Sequence, residues 1–144
     1  MSPFRLEVVT AERELYSGDV DQLIAPSRQG QVTILPNHAP LLSQLEPGLL
    51  EYRVGGEDHA LAVTGGFMEI LANRAVILAD AAEPADEIDE ARAQAALDRA
   101  EERMAHREED IDFERAVRQI ARARIRLSVA RRRRTAAPRP PVQQ

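Results

Sequence analysis

A chain of 144 residues has room for one medium domain or two small ones, and with only 3% aromatics its core must be built from Val, Ile, Leu and Ala. Cysteine and tryptophan are absent, which excludes a disulfide framework, a thiolate zinc site and a cysteine nucleophile. The net charge of −5 hides a division: residues 1–114 carry 24 acids and 9 arginines (−15), whereas residues 115–144 carry 10 arginines and no acid (+10), which suits that segment to an acidic surface or an anionic ligand.

In chain order, the first 80 residues read as short strands: 4–10, 18–26, 30–36, 49–54, 59–64, 67–72 and 75–80. Gly, Pro and Asn punctuate them, notably Pro26, Pro36, Gly55–Gly56, Gly65–Gly66 and Asn73. Strands at this spacing leave no room for crossover helices, so the pattern predicts an antiparallel β-sandwich or flattened barrel. No apolar run approaches the roughly 20 residues of a membrane helix and no signal peptide opens the chain, so a soluble or peripherally attached protein is expected.

After Asp80 the period changes. Pro84 should end strand pairing, Asp86 is the expected N-cap, and Asp89 falls at the third helical position. A first helix is predicted to 106, with Ala93, Leu97, Ala100 and Met104 as its apolar stripe. A polar break at 106–112 leads to a second helix from Asp112, whose expected buried face is Phe113, Val117, Ile120 and Leu127. The prediction is an α+β chain: a sandwich over 1–83, an antiparallel two-helix hairpin over 84–134, and a proline-rich disordered tail over 135–144.

The three histidines, His38, His59 and His106, have no ligand spacing, and no Walker A or dinucleotide glycine loop occurs. His38 is expected to hydrogen-bond locally after Pro36, and Gly65–Gly66 to mark a close backbone approach. No catalytic or metal-binding residue is predicted. The arginines differ. Asp89, Arg92 and Arg99 share one face of the first helix, and Arg115, Arg118, Arg122 and Arg126 share one of the second. If the hairpin turns near residue 108, Arg92 lies between Arg122 and Arg126. Such crowding is resolved either by interhelical salt bridges or by an anion held in bidentate fashion.

Three segments, "GQVTILPNHAPLL" (30–42), "VTGGFMEI" (63–70) and "DEIDEARAQAAL" (86–97), resemble the ε subunit of the F-type ATP synthase, in that family's order and spacing. The resemblance covers residues 3–134; the Pro/Arg tail and the Arg131–Arg134 run depart from it. It implies a non-catalytic rotor-stalk subunit, bound to the γ subunit and the membrane c-ring at the cytoplasmic face of a bacterial plasma membrane. It also implies a mobile hairpin that regulates ATP hydrolysis and, when extended, reaches the α/β catalytic head. In several bacterial members an I/L-D-x-x-R-A motif binds ATP without hydrolysing it. Here that motif is Ile88, Asp89, Arg92 and Ala93, and the supporting positions are Glu83, Arg99, Arg122 and Arg126. The implied roles are phosphate neutralisation by Arg92, Arg99, Arg122 and Arg126, orientation of Arg92 or acceptance from the adenine amino group by Asp89, and an apolar base seat on Ile88 and Ala93.

The competing class is a module that grips nucleic acid or an acidic partner through the basic second helix. Against nucleic acid stand the −15 remainder and the lack of aromatics among the arginines. No residue constellation supports a stand-alone enzyme.

Overall fold

The computed structural model describes residues 2–106 and 112–135, with side chains in the last helix given as far as Arg131. The chain divides into two compact units, residues 1–87 and 88–144.

The first unit holds ten strands: β1 (Phe4–Val9), β2 (Glu14–Val20), β3 (Gln22–Ser27), β4 (Gly30–Ile34), β5 (Leu41–Leu45), β6 (Gly48–Val54), β7 (Glu57–Val63), β8 (Gly66–Leu71), β9 (Arg74–Ala79) and β10 (Ala82–Pro84), followed by a 3-10 turn at Ala85–Glu87. Hydrogen bonding runs β10-β7-β6-β3-β5-β8-β9-β1-β2, with β4 on the other edge of β3. Pairing is antiparallel except for β1 against β9, which is parallel. Tyr16 on β2 and Tyr52 on β6 meet with ring centroids 4.5 Å apart, so the end strand β2 curls back over β6. Burial raises the pKa of Tyr52, and the neighbouring Tyr16 and Asp86 raise it further.

Strict alternation fills the interior. On β8, Met68 and Ile70 point inward while Phe67 and Leu71 point out. Leu6, Val8, Val20, Leu23, Ile34, Leu50, Val63, Met68 and Ile77 are almost wholly enclosed, each worth about 1.5–3 kcal/mol of burial. Gly66 allows β8 to lie against β9: a Cβ there would stand 2.0 Å from the Leu78 carbonyl oxygen, at a φ of 126°.

Three strand expectations need correction. Residues 18–26 belong to two strands, because the chain bends at Asp21, whose N–H donates to the Arg53 carbonyl (2.8 Å). β5 is hidden because two adjacent positions run against the alternation, with polar Ser43 facing in and Leu42 facing out between the inward Leu41 and Leu45. Pro84 does not end pairing. It sits on β10, the outermost strand next to β7, where a missing N–H faces the open edge.

The second unit pairs α1 (Glu90–His106) with α2 (Phe113–Thr135). The α1 cap is Asp89, not Asp86: its Oδ1 accepts the Arg92 N–H at 3.1 Å and its carbonyl accepts the Ala93 N–H at 3.0 Å. Asp86 is taken up by the 3-10 turn. Asp112 caps α2 in the same way, through the Arg115 N–H at 3.2 Å.

Between the helices lie Ala93, Leu97, Ala123 and Leu127, with Ile120 partly covered. Phe113 and Val117 are not on this seam; they are 66% and 44% exposed. The seam on α2 follows small residues, Ala116, Ala123 and Ala130 with Ile120 and Leu127, at a spacing close to a heptad. Of the expected face, Ile120 and Leu127 lie in the seam, whereas the bulky Phe113 and Val117 fall on a flank. Of the tail expected to be disordered, 135–144, Thr135 is the last residue of α2, and residues 136–144, like residues 107–111, lie outside the described residues.

Candidate functional site

The hairpin has two unlike edges. On α1, positions 92, 96, 99 and 103 recur at i, i+4, i+7 and i+11, placing three arginines and an alanine in one row. On α2, Gln119, Arg122 and Arg126 form the facing row. Between the rows lies a cleft of about 410 Å³, walled by Arg99, Arg103, Gln119, Arg122 and Arg126. Its floor is Ala96, Ala100 and Ala123, whose short side chains leave the space that larger residues would fill. Among the described residues, the side chains of Arg99, Arg103 and Arg122 have no hydrogen bond or ion pair. Guanidiniums gathered around a recess have the charge and the planar forks that suit a phosphate or carboxylate.

The other edge is paired. Arg124 Nη2 donates to Glu101 Oε1 at 3.2 Å, and Arg131 reaches Glu90 Oε1 through Nε at 3.5 Å and Gln94 Oε1 through Nη2 at 3.0 Å. These contacts fix the helical register and correct the expected one. Arg92 stands at the level of Arg131, and it is Arg99 and Arg103 that lie across from Arg122 and Arg126. The offset has a physical origin. Part of it comes from side chains leaning toward the N-terminus of their own helix, which shifts touching residues about one position later in each. Part comes from α1 running to His106 and α2 starting only at Phe113, so that the helices are centred beyond residue 108.

The other predicted site residues do not line this cleft. Ile88 is buried just before α1, Asp89 is its cap, and Arg92 is exposed in its first turn. Ala93 is fully enclosed in the helix–helix seam, so it sets how closely the helices pack and offers no open seat for a base. Glu83 lies on β10 in the first unit, half-buried. Arg103 and Gln119 escaped the sequence reading, although extending the Arg92–Arg99 row by four residues reaches the first, and stepping back from Arg122 by three reaches the second.

Elsewhere, His38 Nδ1 contacts the Ala39 carbonyl at 2.7 Å, a local loop contact. Among the described residues no group of His, Asp and Glu is arranged to hold a metal, and no helix is long and apolar enough to cross a membrane. The outer face of β5, β8 and β9 carries Leu42, Phe67, Leu71 and Leu78, each more than half exposed, with Phe67 directly opposite Leu78. Several large apolar side chains exposed on one sheet face suit it to docking.

Comparison with known proteins matches residues 3–85 to the β-sandwich domain of the ATP synthase delta/epsilon chain and residues 86–131 to the long α-helix domain of the same chain. An ATP synthase epsilon chain of Herpetosiphon aurantiacus is 52% identical over 132 residues, covering 92% of this chain and 97% of the relative. One from Chloroflexus aggregans is 48% identical over 128 residues, covering 89% and 92%. The fold is also found in a chain of the Euglena gracilis mitochondrial ATP synthase, with a TM-score of 0.70 at 21% identity over 94% of this chain and 82% of that one. A chain from the central stalk and c-ring structure of the Tetrahymena thermophila enzyme gives 0.58 at 16% identity, over 88% and 95%.

Proposed function

We propose, from the premise that this chain belongs to the delta/epsilon chain family of ATP synthase as an epsilon subunit, that its sandwich holds it on the rotor stalk while its hairpin binds ATP and sets the rate of ATP hydrolysis. The observation that supports the nucleotide assignment is the cleft lined by Arg99, Arg103, Arg122 and Arg126, of which the first three have no side-chain ion pair among the described residues. Arg99, Arg122 and Arg126, joined by Arg103, would neutralise the phosphates, and Arg92 continues the same edge toward the start of α1. Asp89 fixes that start, and Ile88 and Ala93 shape the hairpin around it. The cleft walls supply cations and one amide but no carboxylate or imidazole to activate water, so the nucleotide would be held rather than hydrolysed.

The sandwich would dock on the γ subunit and the c-ring, for which the Leu42, Phe67, Leu71 and Leu78 face is suited. The subunit would thereby sit peripherally on the cytoplasmic face of a bacterial membrane. With the hairpin extended, its basic second helix would meet the α/β head and oppose rotation in the hydrolysis direction. A ligand specific for the closed hairpin stabilises that form by about 2.7 kcal/mol at a hundredfold excess over its dissociation constant, enough to reset two states of similar energy.

Calorimetric titration of the whole chain with ATP tests the binding. Saturable heat is expected, with Arg99→Ala and Arg122→Ala each weakening affinity about tenfold or more by removing a charge-assisted contact. No binding at millimolar ATP would remove the nucleotide from the account. For the regulatory half, assembled enzyme carrying a chain that ends at Glu87 should hydrolyse ATP faster; unchanged hydrolysis in a coupled complex would contradict inhibition.

A further inference from the structure

We infer that the ion-paired edge of the hairpin is a spine that holds the arginine cleft assembled before any anion arrives, with Glu101, Arg124 and Arg131 as positioning residues. This rests on the assignment of the cleft as the nucleotide site. Arg124 is two residues from both Arg122 and Arg126, about 200° around the helix at 3.6 residues per turn, so it faces away from the cleft. There it meets Glu101 at 3.2 Å. Seven residues on, Arg131 returns to the same side and meets Glu90 at 3.5 Å and Gln94 at 3.0 Å. On α1 these partners also lie in one row, at i, i+4 and i+11.

Closing the hairpin brings Arg99, Arg103 and Arg122, which have no side-chain ion pair among the described residues, around one recess, and their mutual repulsion opposes closure when no anion is present. The seam between the helices is thin: Leu97 and Leu127, a partly covered Ile120, and alanines. Opposite charges along the far edge offset the repulsion along the near one. The cleft is then preorganised, and an arriving polyphosphate does not have to bring the helices together as well as neutralise them. Apparent affinity scales with the fraction of hairpins already closed, so weakening the spine weakens binding without touching the cleft.

Reversing each half of the Glu101–Arg124 pair separates this from a simple effect of net charge. Both side chains are exposed, 47% and 65%, so the substitutions do not disturb the seam. Glu101→Arg makes the hairpin more positive and Arg124→Glu makes it less so. If only charge mattered, the first would bind ATP more tightly and the second more weakly. The spine predicts that both bind roughly threefold to thirtyfold more weakly, and that the double swap Glu101→Arg/Arg124→Glu returns to near wild-type affinity at wild-type net charge. Arg131→Glu, facing Glu90, should weaken binding in the same sense. The companion readout uses no nucleotide: amide exchange over residues 93–105 should be faster in each single variant and restored in the swap. If wild type fails to bind ATP but exchange follows this pattern, the nucleotide assignment falls and the spine stands. Tighter ATP binding by Glu101→Arg, or unchanged exchange in both single variants, would overturn the spine.

Discussion

The sandwich and the hairpin secure their structure by different means. In the first unit, long aliphatic side chains from many strands interlock, and register is fixed wherever a one-residue slip would turn Met68 or Ile77 out to solvent. In the second, a few leucines and a line of alanines join two helices whose facing charges agree on one edge and conflict on the other. A dense core tolerates no alternative arrangement. A thin seam with one frustrated edge responds to whatever relieves the frustration, which is the property a ligand-gated element requires.

The largest break in this comparison should come from Gly66→Ala. The new Cβ would collide with the backbone of Leu78 and Ala79 at a φ that side chains rarely adopt, so the loss is expected to exceed about 4 kcal/mol, read as an insoluble or unfolded first unit. Met68→Ala should cost about 2–5 kcal/mol in urea unfolding of the sandwich. Leu97→Ala should instead lower the helical signal and leave the sandwich transition in place. If both substitutions shifted one shared transition equally, the two units would not be energetically separate.

Truncation sharpens the boundary. A chain ending at Glu87 should unfold cooperatively, as a closed sandwich does. One ending at Asp80 loses β10, which pairs with Leu61–Val63 of β7, and should have a lower midpoint. Equal midpoints would show that β10 adds nothing. The smallest effect is expected from Asp89→Ala, about 0.5–2 kcal/mol in hairpin stability through the lost cap on the Arg92 N–H, visible as fraying of the first turn of α1.

What was legible in the sequence follows the same contrast. Strands whose alternation agrees with their burial, such as β8 and β9, were readable directly. β5 was not, since its inward Ser43 and outward Leu42 reverse the signal, and the outward leucine belongs to a surface whose meaning lies in another molecule. The arginine rows were legible as rows because helical periodicity needs only counting. Their partners were not, because the level at which two helices meet depends on how side chains lean and on a turn that local sequence does not set. Hence Arg92 was placed against Arg122 and Arg126, where Arg99 and Arg103 stand, and Phe113 was assigned to a seam that Ala116 and Ala123 occupy.

The central claim, a fixed sandwich carrying a hairpin whose closed form an anion stabilises further, is tested most directly by amide hydrogen exchange of the whole chain with and without ATP. Exchange across α1 and α2 should slow on adding nucleotide, while β1, β8 and β9 stay unchanged. Helices that exchange at the same rate in both conditions, or protection that appears in the sandwich instead, would contradict it.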